Sequence, residues 1–387
     1  MPENKITEFN LPTKIIAGLG SLNSLADTIR GFGDNVLLIT GKNSARQSGL
    51  LDRIEKNVSA TSEVRLTVFD QVDPEPTCDN VNQAIAAARE KGCDLVVGVG
   101  GGSVLDVAKA AAALANKGNL VEEFMTGREL LFPGIPCIAI PTTAGTGAEV
   151  TPNSVLIDRK RQVKESLRHS FMYPKAAIID AELTVSLPPK LTAYAGIDAL
   201  CQSIESYVST GANILTDAIA LQSIRLVSMN LRLAYKNGAN VQARQNMLYA
   251  ALLSGIALSN ARMGAVHGLA HPLGLKYNLP HGLVCGILLP YVIEFNLNFA
   301  TTKYSTIAGV MGGLLRGLDK ERAAKICIDK TKQLLAEVGF PWRLRELGVK
   351  PEDFPQLAKD SLPSGSLKAN PRTVLEDDAI NILKKAY

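Results

Sequence analysis

The feature that most constrains the fold is a change of pattern at Leu187-Pro188-Pro189. Before it, short apolar runs alternate with helical stretches. After it, strand signals stop and helical periodicity alone remains. Residues 35–41 read as a buried strand ending in a Gly turn. Residues 63–69, 94–99 and 135–140 read as strands too, and 155–158 and 176–180 add two more. The Ala-rich segment 79–91 reads as a helix stopped by Gly92, and another helix runs from Ser103 to Asn116. Alternation of this kind implies a parallel sheet wrapped by helices. Beyond Pro189 helices are expected over 193–209, 214–236, 241–262, 283–299 and 320–338. The reading is an α/β domain over residues 1–188 and an all-helical domain over residues 189–387, each able to bury a full core.

Bulk properties exclude several partners. A net charge of +4 in 387 residues, with no Lys/Arg block, gives no reason to expect nucleic acid. The N-terminus carries charges where an export signal needs an apolar run. The uncharged stretch 282–293 falls short of the ~20 residues that span a bilayer. The six cysteines are scattered without a CxxC pair, as expected of small buried side chains in a reducing cytoplasm.

Two loops at strand ends invite a phosphate. Gly100-Gly-Gly-Ser103 joins a strand to a helix, where small residues admit a close backbone approach and the helix start offers N–H groups. Its spacing is neither GxGxxG nor a Walker A loop. Pro141-Thr-Thr-Ala-Gly-Thr-Gly-Ala-Glu-Val-Thr151 adds hydroxyls and N–H donors after the next strand. Ligands bind at such carboxyl ends in α/β sheets. The basic segment Arg159–His169 is open to two readings: a solvated hairpin, or one or two cations facing a phosphate or ribose.

Three of the four histidines lie within residues 265–282. His267 and His271 share a helix face by their spacing of four. Pro272 suits a bend, and His281 returns after a Gly/Pro-rich loop. Asp198 and Gln202, also four apart, present two oxygens on one face of another helix. Neutral imidazole is the commonest transition-metal ligand and a general acid/base near neutral pH, so these residues point to a metal or acid/base site.

These motifs resemble the iron-containing (group III) alcohol dehydrogenases. The likeness rests on Gly100-Gly-Gly-Ser103-x-x-Asp106-x-x-Lys109, Pro141–Thr151, Glu182-Leu-Thr with Leu187-Pro-Pro189, Gly196-x-Asp198-Ala-Leu, Val266-His-Gly-Leu-Ala-His-Pro-Leu-Gly274, Pro280-His-Gly282 and the tail from Asn370-Pro-Arg. The resemblance implies a Rossmann-like nicotinamide domain and an all-helical metal domain, the architecture shared with dehydroquinate synthases, with the active site in the cleft between them. By position, Gly101, Gly102 and Ser103 would hold the pyrophosphate, and Thr142, Thr143 and Thr146 would line the cofactor site. Asn153, Val155 and Lys164 would lie along the nicotinamide and its ribose, with Leu183 nearby. Asp198, Gln202, His267 and His281 would hold a divalent metal, iron or zinc. His271 would stand in the proton path.

Two positions depart from the family pattern. Gln202 stands where the resemblance implies a His, and an amide oxygen is a harder, weaker donor than imidazole. Gly41 stands where members that prefer NAD often carry an Asp against the adenosine 2′-OH. With Lys42, Asn43 and Ser44 beside it, the pocket is expected to accept NADP. The function implied is metal-dependent hydride transfer between NAD(P) and a small primary alcohol or aldehyde, in a cytoplasmic homodimer with the edge strand 13–17 as a pairing surface. The competing readings are a dinucleotide-binding protein that has lost metal and turnover, and a dehydroquinate synthase-like lyase.

Overall fold

The computed structural model describes residues 7–59 and 64–387. The expected strand start at Glu63 and the first six residues, on which the export-signal reading partly rests, lie outside the described residues. The described chain divides into two compact units. One comprises Pro12–Leu187; the other comprises Pro188–Tyr387 together with the described residues up to Leu11. The expected 1–188 boundary therefore shifts at its start. Residues before Pro12 belong with the helices, where Asn10 exchanges hydrogen bonds with Asn260 (2.7 and 3.1 Å).

In the Pro12–Leu187 unit six strands form a parallel sheet: β1 (Lys14–Ala17), β2 (Asn35–Gly41), β3 (Arg65–Val72), β4 (Leu95–Gly100), β5 (Cys137–Pro141) and β8 (Ala176–Ile179), in the order β1-β8-β5-β4-β2-β3. β2, β4, β5 and β8 are almost wholly buried, as near-continuous apolar runs must be when helices cover both faces of a sheet. The chain runs outward from β2 to β3, then crosses back so that β4 sits on the other side of β2. That reversal opens a crevice at the carboxyl ends of β2 and β4, the position where such sheets receive ligands.

β6 (Asn153–Asp158) was expected in the main sheet but pairs instead with β7 (Val163–Arg168) as an antiparallel hairpin. β7 has one face polar and exposed, so it suits a two-stranded ribbon and not a buried parallel sheet.

The second unit is helical among its described residues. Pro189–Val208, Ile214–Lys236, Val241–Ala261, Ala265–Tyr277, His281–Asn296 and Lys320–Glu337 are its longest helices. Pro272 was expected to bend the chain, yet it lies inside the Ala265–Tyr277 helix. The Pro ring removes one backbone donor, but Leu269, Ala270 and Leu273 around it are buried and hold the turn in place. The helix ends at Asn278, which adopts the left-handed conformation (φ 49°). The stretch His281–Phe299 is long and apolar enough to cross a membrane, longer than the sequence pattern suggested, and most of it is buried inside the unit. Its helix is a buried core helix of the bundle, which explains its composition.

Candidate functional site

Each unit carries its own set of converging polar groups. In the helical unit, three helices bring together Asp198, His267, His281 and Cys285. The ligand atoms of these four residues lie within 4.8 Å of one another. Asp198 is on the Pro189–Val208 helix, and His267 is near the start of the Ala265–Tyr277 helix. His281 and Cys285 are one turn apart on the next helix. Close approach of that helix depends on Gly282, whose Cβ would sit 2.2 Å from the Tyr194 carbonyl oxygen.

His267 is fixed from behind. Glu205, two turns along the helix from Asp198, accepts from the His267 Nδ1–H at 2.5 Å and from the Val266 N–H at 2.6 Å. Asn370 accepts from the Ala265 N–H (3.2 Å) and from Asn296 (2.9 Å). These two side chains satisfy the first N–H groups of the His267 helix. With Nδ1 committed to a carboxylate, the Nε2 atom faces the cluster, the arrangement typical of metal-ligating histidine.

That Nε2 lies 3.3 Å from Asp198 Oδ1. Both atoms are buried and neither makes a hydrogen bond. A carboxylate oxygen and an imidazole lone pair face each other, so a proton or a cation must stand between them. Burial pulls the His267 pKa down, but Glu205 and Asp198 outweigh it and raise it to about 10. Without a cation, a proton occupies the gap; a divalent cation fits the same donors.

Gln202 faces another way. Its Nε2–H donates to Asp198 Oδ2 (2.8 Å), and its Oε1 accepts from the Ser254 hydroxyl (2.8 Å). The oxygen expected as a ligand is thus engaged by Ser254, and the amide N–H faces the site because it alone can satisfy the Asp198 oxygen it meets. His271 lies beside the cluster, its ring centroid 5.3 Å from that of His281. The fourth histidine, His169, caps a short turn by accepting from the Phe171 N–H.

Sequence reasoning missed Glu205 and Cys285. The signals were present: Asp198, Gln202 and Glu205 follow helical spacing, and Cys285 is four residues after His281. Cys285 was grouped with cysteines of purely apolar role. None of the six forms a disulfide.

In the sheet unit, the Gly100–Ser103 and Pro141–Thr151 loops meet at the ends of paired strands. Gly100 aligns with Pro141, and the Thr142 N–H donates to the Gly100 carbonyl (2.9 Å). The Gly102–Leu114 helix starts at Gly101 with no side-chain cap, leaving its first turn for an anionic group. Gly102 packs against Thr146; a Cβ there would come 2.6 Å from the Thr146 methyl. Thr143 lies beside Gly101. Gly41 and Ser44 adjoin at the end of β2, next to Val104.

The turn Asp73-Pro-Glu-Pro76 binds several expected cofactor residues. The Ser103 hydroxyl donates to Pro74 O (2.5 Å), Lys164 pairs with Glu75, and Lys42 pairs with Asp73 (2.5 Å). Asn153 has a buried Oδ1 that makes no hydrogen bond. The Val155 N–H donates to Asp106 (3.0 Å), which also pairs with the buried Lys109 (3.0 Å). Leu183 belongs to the apolar core on one face of the sheet. Most of the basic hairpin is neutralised, since Arg161 pairs with Asp158 (2.7 Å) and Glu165 (2.9 Å).

Comparisons with known proteins identify the family. Residues 12–181 match the model for the iron-containing alcohol dehydrogenases, and residues 192–387 match the C-terminal part of the Fe-containing alcohol dehydrogenase family. The chain is 38% identical over 356 residues to a 1,3-propanediol dehydrogenase of Citrobacter freundii, covering 92% of each. It is 34% identical over 376 residues to a lactaldehyde reductase of Escherichia coli (strain K12), covering 96% of this chain and 97% of that one. Among solved structures, a 1,3-propanediol oxidoreductase aligns with a TM-score of 0.95 and 36% identity, covering 99% of this chain and all of the other. Matched in both parts and aligned over nearly its whole length, the chain belongs to the iron-containing alcohol dehydrogenase family and is an oxidoreductase acting on CH–OH groups.

Proposed function

We propose that the chain interconverts a small primary alcohol and its aldehyde with NADP(H), using a divalent cation held by Asp198, His267 and His281. The observation that carries the metal part is the pair of buried acceptors, Asp198 Oδ1 and His267 Nε2, 3.3 Å apart with no hydrogen bond to either. When bound, the cation supplies Lewis acidity toward the substrate oxygen and the nicotinamide takes or gives hydride.

The chain's own residues do the rest. Asp198 brings negative charge to the site, and the Gln202 N–H holds its second oxygen in place. Glu205 fixes the His267 ring and its tautomer. His271, next to His281, carries the alcohol proton to or from water. Gly101, Gly102 and Ser103 hold the pyrophosphate at the uncapped helix start. Thr142, Thr143 and Thr146 line the same loop pair. Asn153, Val155 and Lys164 serve the nicotinamide side, and Leu183 supports it as core.

NADP preference rests on the end of β2. Gly41 brings no carboxylate to the 2′ position, and Lys42, Asn43 and Ser44 bring donors. Lys42 is held by Asp73 in a pair of which the lysine is half-exposed and the carboxylate partly covered, and ion pairs near the surface contribute only ~0–1 kcal/mol. A 2′-phosphate therefore draws Lys42 over at little cost. Comparing kcat/KM for NADPH and NADH with short aldehydes tests this. NADPH is expected to lead, and a strong preference for NADH would sink the assignment.

The same reading places the enzyme in the cytoplasm as a homodimer. β1 is an edge strand whose outer side pairs with no strand among the described residues, which supports pairing across a two-fold axis. Sedimentation of the purified protein at micromolar concentration reads the state directly.

A further inference from the structure

We infer that Cys285, not Gln202, is the fourth protein ligand of the metal, which makes this a thiolate-bearing site suited to zinc. The inference rests on the metal reading above and deepens it.

Four observations carry it. First, the geometry matches. With bonds of about 2.0–2.1 Å to O and N and about 2.3 Å to S, tetrahedral ligands stand roughly 3.3–3.6 Å apart. The separations here are 3.3 Å between His267 Nε2 and Asp198 Oδ1, 3.6 Å between His281 Nε2 and Asp198 Oδ1, and 3.5 Å between Cys285 Sγ and His281 Nε2. Second, two of the four donors are buried acceptors without a hydrogen bond, so the cluster is short of positive charge. Third, the Gln202 oxygen is engaged by Ser254 and its N–H by Asp198; the amide serves the carboxylate. Fourth, His281 and Cys285 sit one turn apart on a well-buried helix, a spacing that lets both reach one ion.

Charge and softness point the same way. Asp198 and a Cys285 thiolate together balance a divalent cation, with both imidazoles neutral. Thiolate and imidazole donors favour zinc over the harder oxygen-loving ions. Binding releases the thiol proton to solvent, so no redox partner is needed.

The test uses the full-length enzyme, stripped with a chelator and reloaded with zinc or cobalt(II). X-ray absorption of the zinc-loaded wild type is expected to show one sulfur scatterer at about 2.3 Å. The cobalt form is expected to show a thiolate-to-metal charge-transfer band in the near ultraviolet. Cys285→Ser abolishes that band and weakens zinc binding at least ~10–100-fold, the loss that even an outer partner causes. Gln202→Ala keeps the band. Stoichiometric metal without a sulfur scatterer in the wild type overturns the Cys285 assignment and leaves the metal reading intact. Failure of wild type to bind zinc or cobalt overturns both.

Discussion

Glu205 shows how one side chain sets the chemistry of another. Its carboxylate accepts from both His267 and the helix start, so Glu205→Gln weakens the orientation of the ring and its basicity. Metal affinity is expected to fall ~10–100-fold, read by competition with a chromophoric chelator, while circular dichroism stays unchanged. Glu149 is a second buried acid with a different consequence. Burial, opposed by its own backbone N–H and by Lys109, pushes its carboxyl up to about 7, and its Oε1 makes no hydrogen bond. A carboxyl raised in the folded state binds its proton more tightly there than in the unfolded chain. Its contribution is therefore full below the ordinary carboxylate range and is lost as pH rises through about 7. Across that window the loss is on the order of 3 kcal/mol. Urea unfolding at pH 5 and pH 8 is expected to show a decline that Glu149→Gln flattens; an equal slope in both proteins would contradict this.

The loops and helix starts govern nucleotide binding. Gly102→Ala forces a Cβ to within 2.6 Å of the Thr146 methyl, which pushes the two loops apart. Nucleotide affinity is expected to fall at least ~10-fold, about 1.4 kcal/mol, while metal content is unchanged; fluorescence titration with NADPH reads it. At the end of β2, a Cβ on Gly41 meets only ordinary contacts, 3.7 Å to Ser44 Oγ and 3.8 Å to Val104. Gly41→Asp is therefore tolerated and places a carboxylate against the 2′-phosphate. The ratio of kcat/KM for NADPH over NADH is expected to drop at least ~10-fold. Elements with strong periodicity were legible in the sequence: β2 and the helices expected at 214–236 and 320–338 follow directly from their apolar pattern. Three features were not. β6 has the buried alternation of a core strand, and only its exposed partner β7 assigns it to a ribbon. Pro272 reads as a break because propensity ignores the packing that holds the helix around it. Gln202 turns its N–H and not its oxygen toward Asp198 because the direction of the amide depends on Ser254, 52 residues away in sequence.

At the scale of the whole molecule, the switch at Pro188 separates two kinds of work. The parallel sheet supplies strand ends and uncapped N–H groups for a dinucleotide. The helix bundle supplies buried side chains that converge from three helices on one point. A bundle does this well because side chains on packed helices are held in fixed rotamers. A parallel sheet offers backbone groups at the carboxyl ends of its strands in return. The competing reading, a dinucleotide-binding protein without metal or turnover, differs at this scale: it needs the first unit alone. The most direct measurement is elemental analysis of protein purified without added metal, paired with aldehyde-dependent oxidation of NADPH before chelation, after chelation and after reloading with zinc. The account predicts one equivalent of divalent metal, loss of turnover with the metal, and recovery on reloading. Full turnover by the metal-free protein would contradict it.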